Sequence, residues 1–368
     1  MMSGVLAKLT ILSLESSKGF GGQERRLLHE ALWLRRAGHE VIIACPSESP
    51  LYLQASAAGG TVYGVSMRNS VEPASLFALV RIIRRHRVDV LYSHSGKDSW
   101  LGGLSGWIAG VPLVRSRELL NPVKHRFAYN LLPKRVLACS AAVKEHLVAS
   151  GVDARKVFVQ YPPVATTRYS SVTAAEVECW RQRLELTGHF PVISCVAGMR
   201  GEKRQIDLIR AMQPLSAEFP EVLLLLLGSG HERAALERIA AETGVADRVR
   251  FLGEVEEVPA VLANSDVFVL PSSREPFGMA PVEAMAAGVP VVVTRTGGLA
   301  EIVSDGVNGL HVPVEEPQAI SRAVARICRE QGLSERLSAG GRRRAEDFSE
   351  DVVMEKLVGH FRAVASKR

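Results

Sequence analysis

Two glutamates with seven residues between them follow a short apolar run in the second half of the chain. The run Val267–Leu270 predicts a buried strand, and Pro276 keeps Glu275 outside the helix that comes next. Glu283 falls in the first turns of that helix, so the two carboxylates can bind different parts of one ligand. Backbone N–H groups at the helix start suit an anionic group, and they belong to Phe277, Gly278 and Met279. The alternative is that Glu283 only favours the helix dipole and Glu275 is solvated.

Two further strand ends carry groups that could bind phosphate. After the predicted strand Val192–Ala197, a loop starting at Gly198 places Arg200 and Lys203 where both can reach one pyrophosphate without a metal. After the predicted strand Pro290–Val293, the Gly297-Gly298 turn opens a helix and predicts a second set of backbone donors.

A glycine-rich turn also follows the first predicted strand, in the run Gly19-Phe20-Gly21-Gly22 before a helix. Such a turn lets backbone N–H groups approach a phosphate, although it serves equally for packing alone. Cys45-Pro46-Ser47 follows the second strand, where a dinucleotide site would place an acidic ribose partner. This argues against a nicotinamide dehydrogenase.

The elements that position these groups alternate between short apolar runs and longer stretches of helical period, which is typical of β-α-β units around parallel sheets. Tyr161-Pro162-Pro163 and the polar stretch 165–175 predict a hinge. We therefore expect an N-terminal Rossmann-like domain over residues 1–165, a C-terminal one over 166–345, and a last helix over 346–368 packing back toward the first domain. The predicted strands are, in order, Leu9–Leu14, Glu40–Cys45, Thr61–Val65, Asp89–Ser93, Leu113–Arg115, Val136–Cys139, Val157–Gln160, Val192–Ala197, Val222–Leu227, Val249–Leu252, Val267–Leu270 and Pro290–Val293.

Composition excludes several classes of protein. With 368 residues, 47% hydrophobic and 23% charged, the chain fits an ordinary globular protein of about two domains. The longest apolar run, Val222–Leu227, is far shorter than the ~20 residues of a membrane span. The first residues lack a basic region before the apolar ones and are interpreted as leading into a strand rather than as a signal peptide. Five scattered cysteines predict reduced thiols, and the histidines show no metal-ligand spacing, so we expect no bound metal and no cofactor.

Charge is uneven along the chain. Residues 1–170 hold 22 Lys and Arg against 11 Asp and Glu, a surplus of +11, whereas the remainder carries −5. This surplus favours an anionic partner, either a phosphorylated substrate or a membrane surface. Nucleic acid is not expected, because the zinc-finger, basic-zipper and aromatic RNA-binding patterns are missing.

Several motifs taken together resemble the group 1, retaining, GT-B-fold glycosyltransferases that use nucleotide sugars. The resemblance covers most of the chain. The matching runs are GGQERRLLHEALWLRRAGHEV, GMRGEKRQIDLIRAM, VRFLGEVEEVPAVLANSDVFVLPS and EPFGMAPVEAMAAGVPVVVTRTGGLAEIV. The fold that this resemblance implies is two doubly wound α/β domains facing each other across a cleft.

The resemblance also implies roles for the matching positions. Glu283 would hold the nucleotide ribose, Glu275 the donor-sugar hydroxyls, and Arg200 and Lys203 the diphosphate, with Glu275, Arg200 and Lys203 as the catalytic set. The rest of the implied nucleotide-sugar site comprises Gly21, Gly22, Gly198, Phe251, Leu252, Phe277, Gly278 and Met279.

Two positions depart from the family pattern. Glu118 stands where many members have a histidine near the donor sugar, and His94, after the preceding strand, is a candidate to contact sugar or acceptor instead. The run Tyr161-Pro162-Pro163-Val164 replaces the usual N-G-V-D.

The expected function is a retaining transfer of a sugar from a nucleotide-diphosphate sugar to a glycan or lipid-linked acceptor of cell-envelope or lipopolysaccharide type. It would take place in the cytoplasm, with peripheral contact at the inner membrane face. The alternatives are a nucleotide-sugar epimerase of the same fold and a catalytically silent nucleotide-sugar-binding protein.

Overall fold

The computed structural model describes residues 8–365, which form two compact units. The first comprises residues 8–163 and 353–365, and the second comprises residues 164–352. The ends of the predicted domains, residues 1–7 and 366–368, lie outside the described range.

The first unit is built on a parallel sheet of seven strands in the order β3-β2-β1-β4-β5-β6-β7. Its elements are β1 (Thr10–Leu14), α1 (Gly22–Arg36), β2 (Glu40–Cys45), α2 (Pro50–Ala57), β3 (Thr61–Gly64), α3 (Pro73–His86), β4 (Val90–Ser93), α4 (Gly96–Ala109), β5 (Leu113–Arg117), α5 (Arg126–Leu131), β6 (Arg135–Ala138), α6 (Ala141–Ala149) and β7 (Val157–Val159).

Alternating residues of this sheet supply two hydrophobic cores, one on each face, because successive side chains of a strand point to opposite sides. Ile11 and Val41 pack with residues of α1 and α2 on one face. Leu12 and Ile42 pack on the other face with residues of α3 and α4. The sheet is therefore buried on both sides, as parallel sheets are.

The second unit is built on a parallel sheet of six strands in the order β10-β9-β8-β11-β12-β13. Its elements are α7 (Thr166–Ser170), α8 (Ala174–Arg183), β8 (Val192–Val196), α9 (Gln205–Glu218), β9 (Leu223–Leu227), α10 (Arg233–Glu242), β10 (Val249–Gly253), α11 (Val258–Ala263), β11 (Val267–Leu270), α12 (Met279–Ala286), β12 (Val291–Thr294), α13 (Leu299–Ile302), β13 (Leu310–Val312), α14 (Pro317–Arg329) and α15 (Leu333–Glu346). A last helix, α16 (Glu350–Arg362), starts in this unit and ends in the first.

In each sheet, successive strands are added on one side and then on the other. This change of side falls between β1 and β4 in the first unit and between β8 and β11 in the second. In doubly wound sheets, the loops that leave such a point diverge and create the crevice in which ligands bind. A ligand-binding site is therefore expected in the loops that follow these four strands.

The predicted fold class is confirmed, since each unit is a Rossmann-like parallel α/β sheet. Two local differences stand out. The edge strand β13 was not predicted, because its three residues are too few to show a period. The stretch predicted as a polar hinge contains the helix α7 and the start of α8.

Candidate active site

Lys203 and Glu275 meet at the switch point of the second sheet. Lys203 lies in the loop after β8, Glu275 lies in the loop after β11, and Nζ of the lysine donates to Oε2 of the glutamate at 2.5 Å. Both side chains are mostly buried, with 21% and 11% of their surfaces exposed. Ser272 Oγ donates to the same carboxylate oxygen at 3.4 Å. The sequence placed these two residues on one ligand, and the structure brings them into direct contact.

Hydrogen bonds between the two loops hold this pair in position. The backbone N–H and the hydroxyl of Ser273 both donate to the carbonyl of Glu202, at 2.9 and 3.2 Å. From the end of β12, Thr294 Oγ1 donates to the carbonyl of Ser272 at 2.5 Å, and Thr296 Oγ1 donates to that of Ser273 at 3.1 Å. Three strand ends are thus tied together around one ion pair.

Two of the backbone donors predicted at the Gly297-Gly298 turn are engaged within the loops. The N–H of Gly298 donates to the carbonyl of Glu275 at 2.9 Å, and the N–H of Leu299 donates to that of Thr296 at 3.0 Å. A Cβ at Gly297 would lie 2.1 Å from the Glu275 carbonyl oxygen, and one at Gly298 would lie 2.4 Å from Cα of Phe277. These two donors are not free for an anion, because the loop backbone packs against the glycines and the Glu275 carbonyl accepts from Gly298.

Glu283 is the fifth residue of α12, and its carboxylate accepts a hydrogen bond from the Tyr169 hydroxyl of α7. Burial raises the pKa of Glu283 above its usual value, while Tyr169 and the nearby Arg168 oppose the rise. Burial also raises the pKa of Tyr169, as does the neighbouring carboxylate. Tyr169 was not predicted, because the contact joins residues far apart in the sequence and leaves no local pattern.

The start of α12 is shaped by Gly278, whose φ of 112° lies in the left-handed region. A side chain here would also meet Leu299 Cδ2 at 2.6 Å. Phe277 is buried with its ring centroid 5.4 Å from that of Phe348, whereas Met279 is partly exposed. Helix geometry leaves the first N–H groups without intrahelical partners, so this end of α12 suits an anion.

Arg200 lies at the exposed end of the loop after β8, and no residue between 8 and 365 pairs with its guanidinium. Gly198 lies two residues earlier, and its carbonyl accepts a hydrogen bond from the Gln205 side chain at 3.1 Å. A Cβ placed on Gly198 would be 3.7 Å from Arg200 Nε.

A second glycine turn, after β9, was missed by the sequence reasoning. Gly228 and Gly230 have φ values of 122° and 159°, and a Cβ on either would lie 2.2 Å from a carbonyl oxygen of the Gly198 loop. Between them, the Ser229 carbonyl accepts from the N–H of Met199 at 2.9 Å. The signal was a Gly-x-Gly directly after a fully buried strand.

Phe251 and Leu252 lie on β10, the edge strand of the same sheet, and both are half-buried. The Phe251 carbonyl accepts from Arg233 Nη2 at 3.5 Å. Leu252 lines a cavity of about 580 Å³ beside Trp180 and Arg183 of α8.

In the first unit, Gly21 and Gly22 are exposed at the start of α1. The N–H of Gly21 already donates to Oε2 of Glu24 at 2.7 Å. Nearby, Gln23 Nε2 donates to Glu15 Oε2 at 2.5 Å, which links the start of α1 to the end of β1.

His94 and Glu118 face each other at the ends of β4 and β5, with Nδ1 and Oε1 3.7 Å apart. The His94 side chain has no exposed surface, and neither ring nitrogen has a hydrogen-bond partner within the described range. Glu118 is 15% exposed and also pairs with Arg26 Nη1 at 3.3 Å, while Arg26 Nε donates to Glu30 at 2.6 Å. Of the two, only Glu118 is accessible to a ligand in this state.

Burial and mutual charge shift the pKa values of this cluster. Burial lowers the pKa of His94, but Glu118 and other carboxylates outweigh it and leave the value raised. Burial raises the pKa of Glu118, yet Arg26 and His94 bring it below its usual value. Glu15 is fully buried beside Asp98, and both effects raise its pKa to about 7. Glu15, Arg26, Glu30 and Asp98 were not predicted, although a charged residue directly after a buried strand was a signal for Glu15.

The fold and the site define a protein with two Rossmann-like units, one of which combines a lysine–glutamate pair at its switch point, an arginine unpaired within residues 8–365 and a half-buried second glutamate on the following helix. Family models agree, since "Glycosyl transferases group 1" matches residues 176–344 and "Glycosyltransferase Family 4" matches residues 20–168. The chain belongs to the group 1 glycosyltransferases, a family of transferase enzymes with the GT-B fold.

Curated relatives and a solved structure support this assignment. The chain is 31% identical to D-inositol 3-phosphate glycosyltransferases of Salinispora tropica and Geodermatophilus obscurus, over 76% and 80% of its own length. It spans 65% and 72% of theirs, the first being just under two thirds. It is 36% identical to the lipopolysaccharide core biosynthesis glycosyltransferase LpsE of Rhizobium meliloti over 49% of this chain and 48% of that one. The crystal structure of Anabaena HepE in complex with UDP matches 96% of this chain and 100% of that one with a TM-score of 0.87 at 22% identity, a likeness of fold.

Residues 8–365 contain neither a membrane-spanning helix nor a metal-binding cluster. No helix in that range is long and apolar enough to cross a bilayer. In the same range, no group of three His, Cys, Asp or Glu side chains could hold a metal ion.

Proposed function

We propose that this protein transfers a sugar, with retention of configuration, from a nucleotide-diphosphate sugar to a glycan or lipid-linked acceptor of the cell envelope. The observation that carries the proposal is the Lys203–Glu275 contact at the switch point, with Arg200 on the same loop as Lys203 and unpaired within residues 8–365, and Glu283 on the next helix. A lysine, an arginine and two carboxylates match the charges and hydroxyls of a sugar nucleotide.

In this proposal the bound donor breaks the Lys203–Glu275 ion pair and takes up both side chains. Lys203 and Arg200 bind the diphosphate, which frees the Glu275 carboxylate to accept hydrogen bonds from the donor sugar. Glu283 accepts from the ribose hydroxyls, and the N–H groups at the start of α12 face the distal phosphate. Gly21 and Gly22, Phe251 and Leu252 are proposed contacts of the phosphates and the base.

The chemical step breaks the bond between the anomeric carbon and the diphosphate oxygen and forms one to the acceptor oxygen on the same face. The acceptor proton passes to the leaving diphosphate. Lys203 and Arg200 stabilise the negative charge that develops there, an effect typically worth a factor of ~10²–10³ for one well-placed donor. We propose that these two cations serve without a protein-bound metal.

The test is calorimetric binding of UDP, GDP, ADP and dTDP, with and without EDTA. We expect one nucleotide to bind at a micromolar level in EDTA, with about tenfold or greater weakening in Glu283→Ala. Glu335→Ala, which removes an exposed glutamate of α15, is the matched control and should bind as the wild type does. Equal binding by Glu283→Ala and the wild type would refute the assignment of the ribose site.

Turnover assays distinguish a glycosyltransferase from a nucleotide-sugar epimerase and from a protein that binds nucleotide sugars without catalysis. The sugar nucleotide of the preferred base is incubated with lipid-linked and free glycans, and release of nucleotide is followed. A product epimerised without any acceptor favours an epimerase. Binding of the sugar nucleotide without release of nucleotide favours a catalytically silent nucleotide-sugar-binding protein. That alternative is motivated by Glu118, which stands in place of the family's usual histidine.

The location proposed is cytoplasmic, with peripheral contact at an anionic membrane. It is supported by the +11 surplus of residues 1–170, since a basic residue near such a surface contributes about 1 kcal/mol. Flotation with anionic liposomes at low salt should carry the protein upward, and absence of flotation would contradict this location.

A further inference from the structure

A second charged cavity lies in the first unit, at the carboxyl ends of β4 and β5. Its volume is about 300 Å³, and its wall includes Lys97, Arg115, Arg117, Lys124 and His125 with the ring of Tyr129. Neither Asp nor Glu is among its lining residues within the range 8–365. Five basic side chains converge here, and none of them belongs to the site proposed for the donor.

Arg115 is the buried floor of this cavity. It is 6% exposed, its guanidinium carbon lies 3.6 Å from the centroid of the Tyr129 ring, and its Nε has no hydrogen-bond partner within the described chain. Burial lowers its pKa, because the cation has lost its contacts with water and the protein does not replace all of them. An arginine held this way is incompletely satisfied until an anion arrives.

The nearest carboxylate does not neutralise Arg115 fully. Asp98 attracts it electrostatically, but both oxygens of Asp98 accept from the N–H of Ser95, at 2.9 and 3.0 Å. Burial also raises the pKa of Asp98, which weakens it as a counter-ion.

The remaining cations reach the cavity from the loop after β5 and from the start of α4. Arg117 donates to the carbonyls of Leu119 and Asn121, at 2.9 and 2.5 Å, so neutral groups hold it in place. Lys97 is the second residue of α4, a fourteen-residue helix whose dipole adds positive potential at this end. Lys124 and His125 are exposed at the rim.

We infer that this cavity binds a phosphoryl group carried by the acceptor. The inference rests on the proposed function and narrows it, since it makes the acceptor a phosphate ester or a phosphate-linked lipid rather than a neutral glycan. Lys97, Arg117 and Lys124 bind the phosphate oxygens above the buried Arg115. The cavity has room for one phosphate and a small part of its carrier.

The test uses the full chain and inorganic phosphate as the first probe, titrated by calorimetry. Lys97→Ala combined with Lys124→Ala removes two exposed charges, so folding should be preserved. Arg81→Ala combined with Arg85→Ala removes two from the exposed side of α3 and is the matched control. Arg200→Ala reports any phosphate bound at the donor site instead.

We expect the Lys97/Lys124 variant to bind phosphate about tenfold more weakly, while the Arg81/Arg85 variant stays within about twofold of the wild type. Equal binding by the Lys97/Lys124 variant and the wild type, or loss confined to Arg200→Ala, would overturn the inference. Nucleotide binding is measured on the same samples. If nucleotide binding is missing and the phosphate result holds, the proposed function fails and the phosphate site stands.

Two further probes identify the carrier. Glucose 6-phosphate tests a soluble ester, and phosphatidylcholine vesicles with and without phosphatidic acid test a lipid phosphate. Binding of either that falls in the Lys97/Lys124 variant supports the site and names its source. Failure of both to bind would overturn the assignment to an acceptor phosphate.

Discussion

At the scale of single residues, types and spacing predicted that Arg200 and Lys203 share one pyrophosphate and that Glu275 and Glu283 share one ligand, and the family resemblance joined the four in one site. Each follows a strand of the same parallel sheet, so topology alone brings them to one edge. The sequence could not predict the direct Lys203–Glu275 contact, nor Tyr169 on Glu283, because such contacts depend on side-chain positions from distant segments. These unpredicted contacts are where substitutions are most informative.

Tyr169→Phe removes the hydroxyl that donates to Glu283 and little else. We expect nucleotide affinity to fall about three- to tenfold, the net value of one ordinary hydrogen bond. Because that hydrogen bond lowers the pKa of Glu283, its loss should also move the acid limb of the binding profile to higher pH. Calorimetry across pH measures both effects.

The control for this change is Tyr63→Phe, which removes a hydroxyl bonded to His86 Nε2 at 2.8 Å in the first unit. It should leave nucleotide binding unchanged. An unaltered pH profile in Tyr169→Phe would show that Tyr169 does not act through Glu283.

Glu15 should make stability depend on pH. Its folded pKa of about 7 lies above the ordinary 4.5, so the protonated form stabilises the fold fully below pH 4.5, and this contribution is lost as pH rises through 7. Glu15→Gln resembles the protonated form and should raise the free energy of unfolding at pH 8 by about 1–3 kcal/mol, with little change at pH 4.5.

Denaturant titrations at the two pH values measure this difference. Glu145→Gln, at an exposed position of α6, should leave the pH dependence as it is in the wild type. A Glu15→Gln variant whose stability has the same pH dependence as the wild type would contradict the shifted pKa.

At the scale of elements, most strands could be predicted because each is a buried apolar run between turn residues. Strand β13 and helix α7 could not, since three and five residues give too little pattern and both gain their order from packing. The Gly297-Gly298 turn is the instructive case. Its glycines were recognised, but their purpose, close approach to the Glu275 backbone, becomes visible only once the loops are packed.

Gly297→Ala tests that purpose. The new Cβ would clash with the Glu275 carbonyl oxygen, so we expect turnover to fall at least about tenfold and stability by about 1–3 kcal/mol. Gly306→Ala is the matched control, because Gly306 also has a positive φ, 72°, but its Cβ would meet nothing within 4 Å. Assays of sugar transfer and thermal unfolding compare the two.

If both alanine variants lose activity equally, the strain of a positive φ explains the loss. The close approach to Glu275 would then have no special role.

At the scale of the whole molecule, the first unit consists of two separate stretches of chain, because most of α16 belongs to it. Met354, Leu357, Val358 and Phe361 lie in the same core as β1 and β2. The Phe361 ring centroid is 5.1 Å from that of Tyr92, and Gln160 Nε2 donates to the Val353 carbonyl at 2.9 Å. The first unit therefore depends on this helix for its core.

Phe361→Ala should lower the free energy of unfolding of the first unit by about 3–5 kcal/mol, because it leaves a cavity in that core. Val352→Ala on the same helix changes a residue that is 39% exposed and should cost far less. Three of the four tryptophans, Trp33, Trp100 and Trp107, lie in the first unit, so fluorescence during denaturant titration reports mainly on it. Equal stability of the two variants would contradict the role of α16.

The placement of α16 also sets an order of events during synthesis. The second unit has all of its residues once position 352 has been synthesised, whereas the first must wait for position 362. The earlier-made sheet is thus completed last, and its apolar face stays open to chaperones while its neighbour folds. Chains that end at residue 352 and have been released from the ribosome should resist protease over the second unit and be cut within the first.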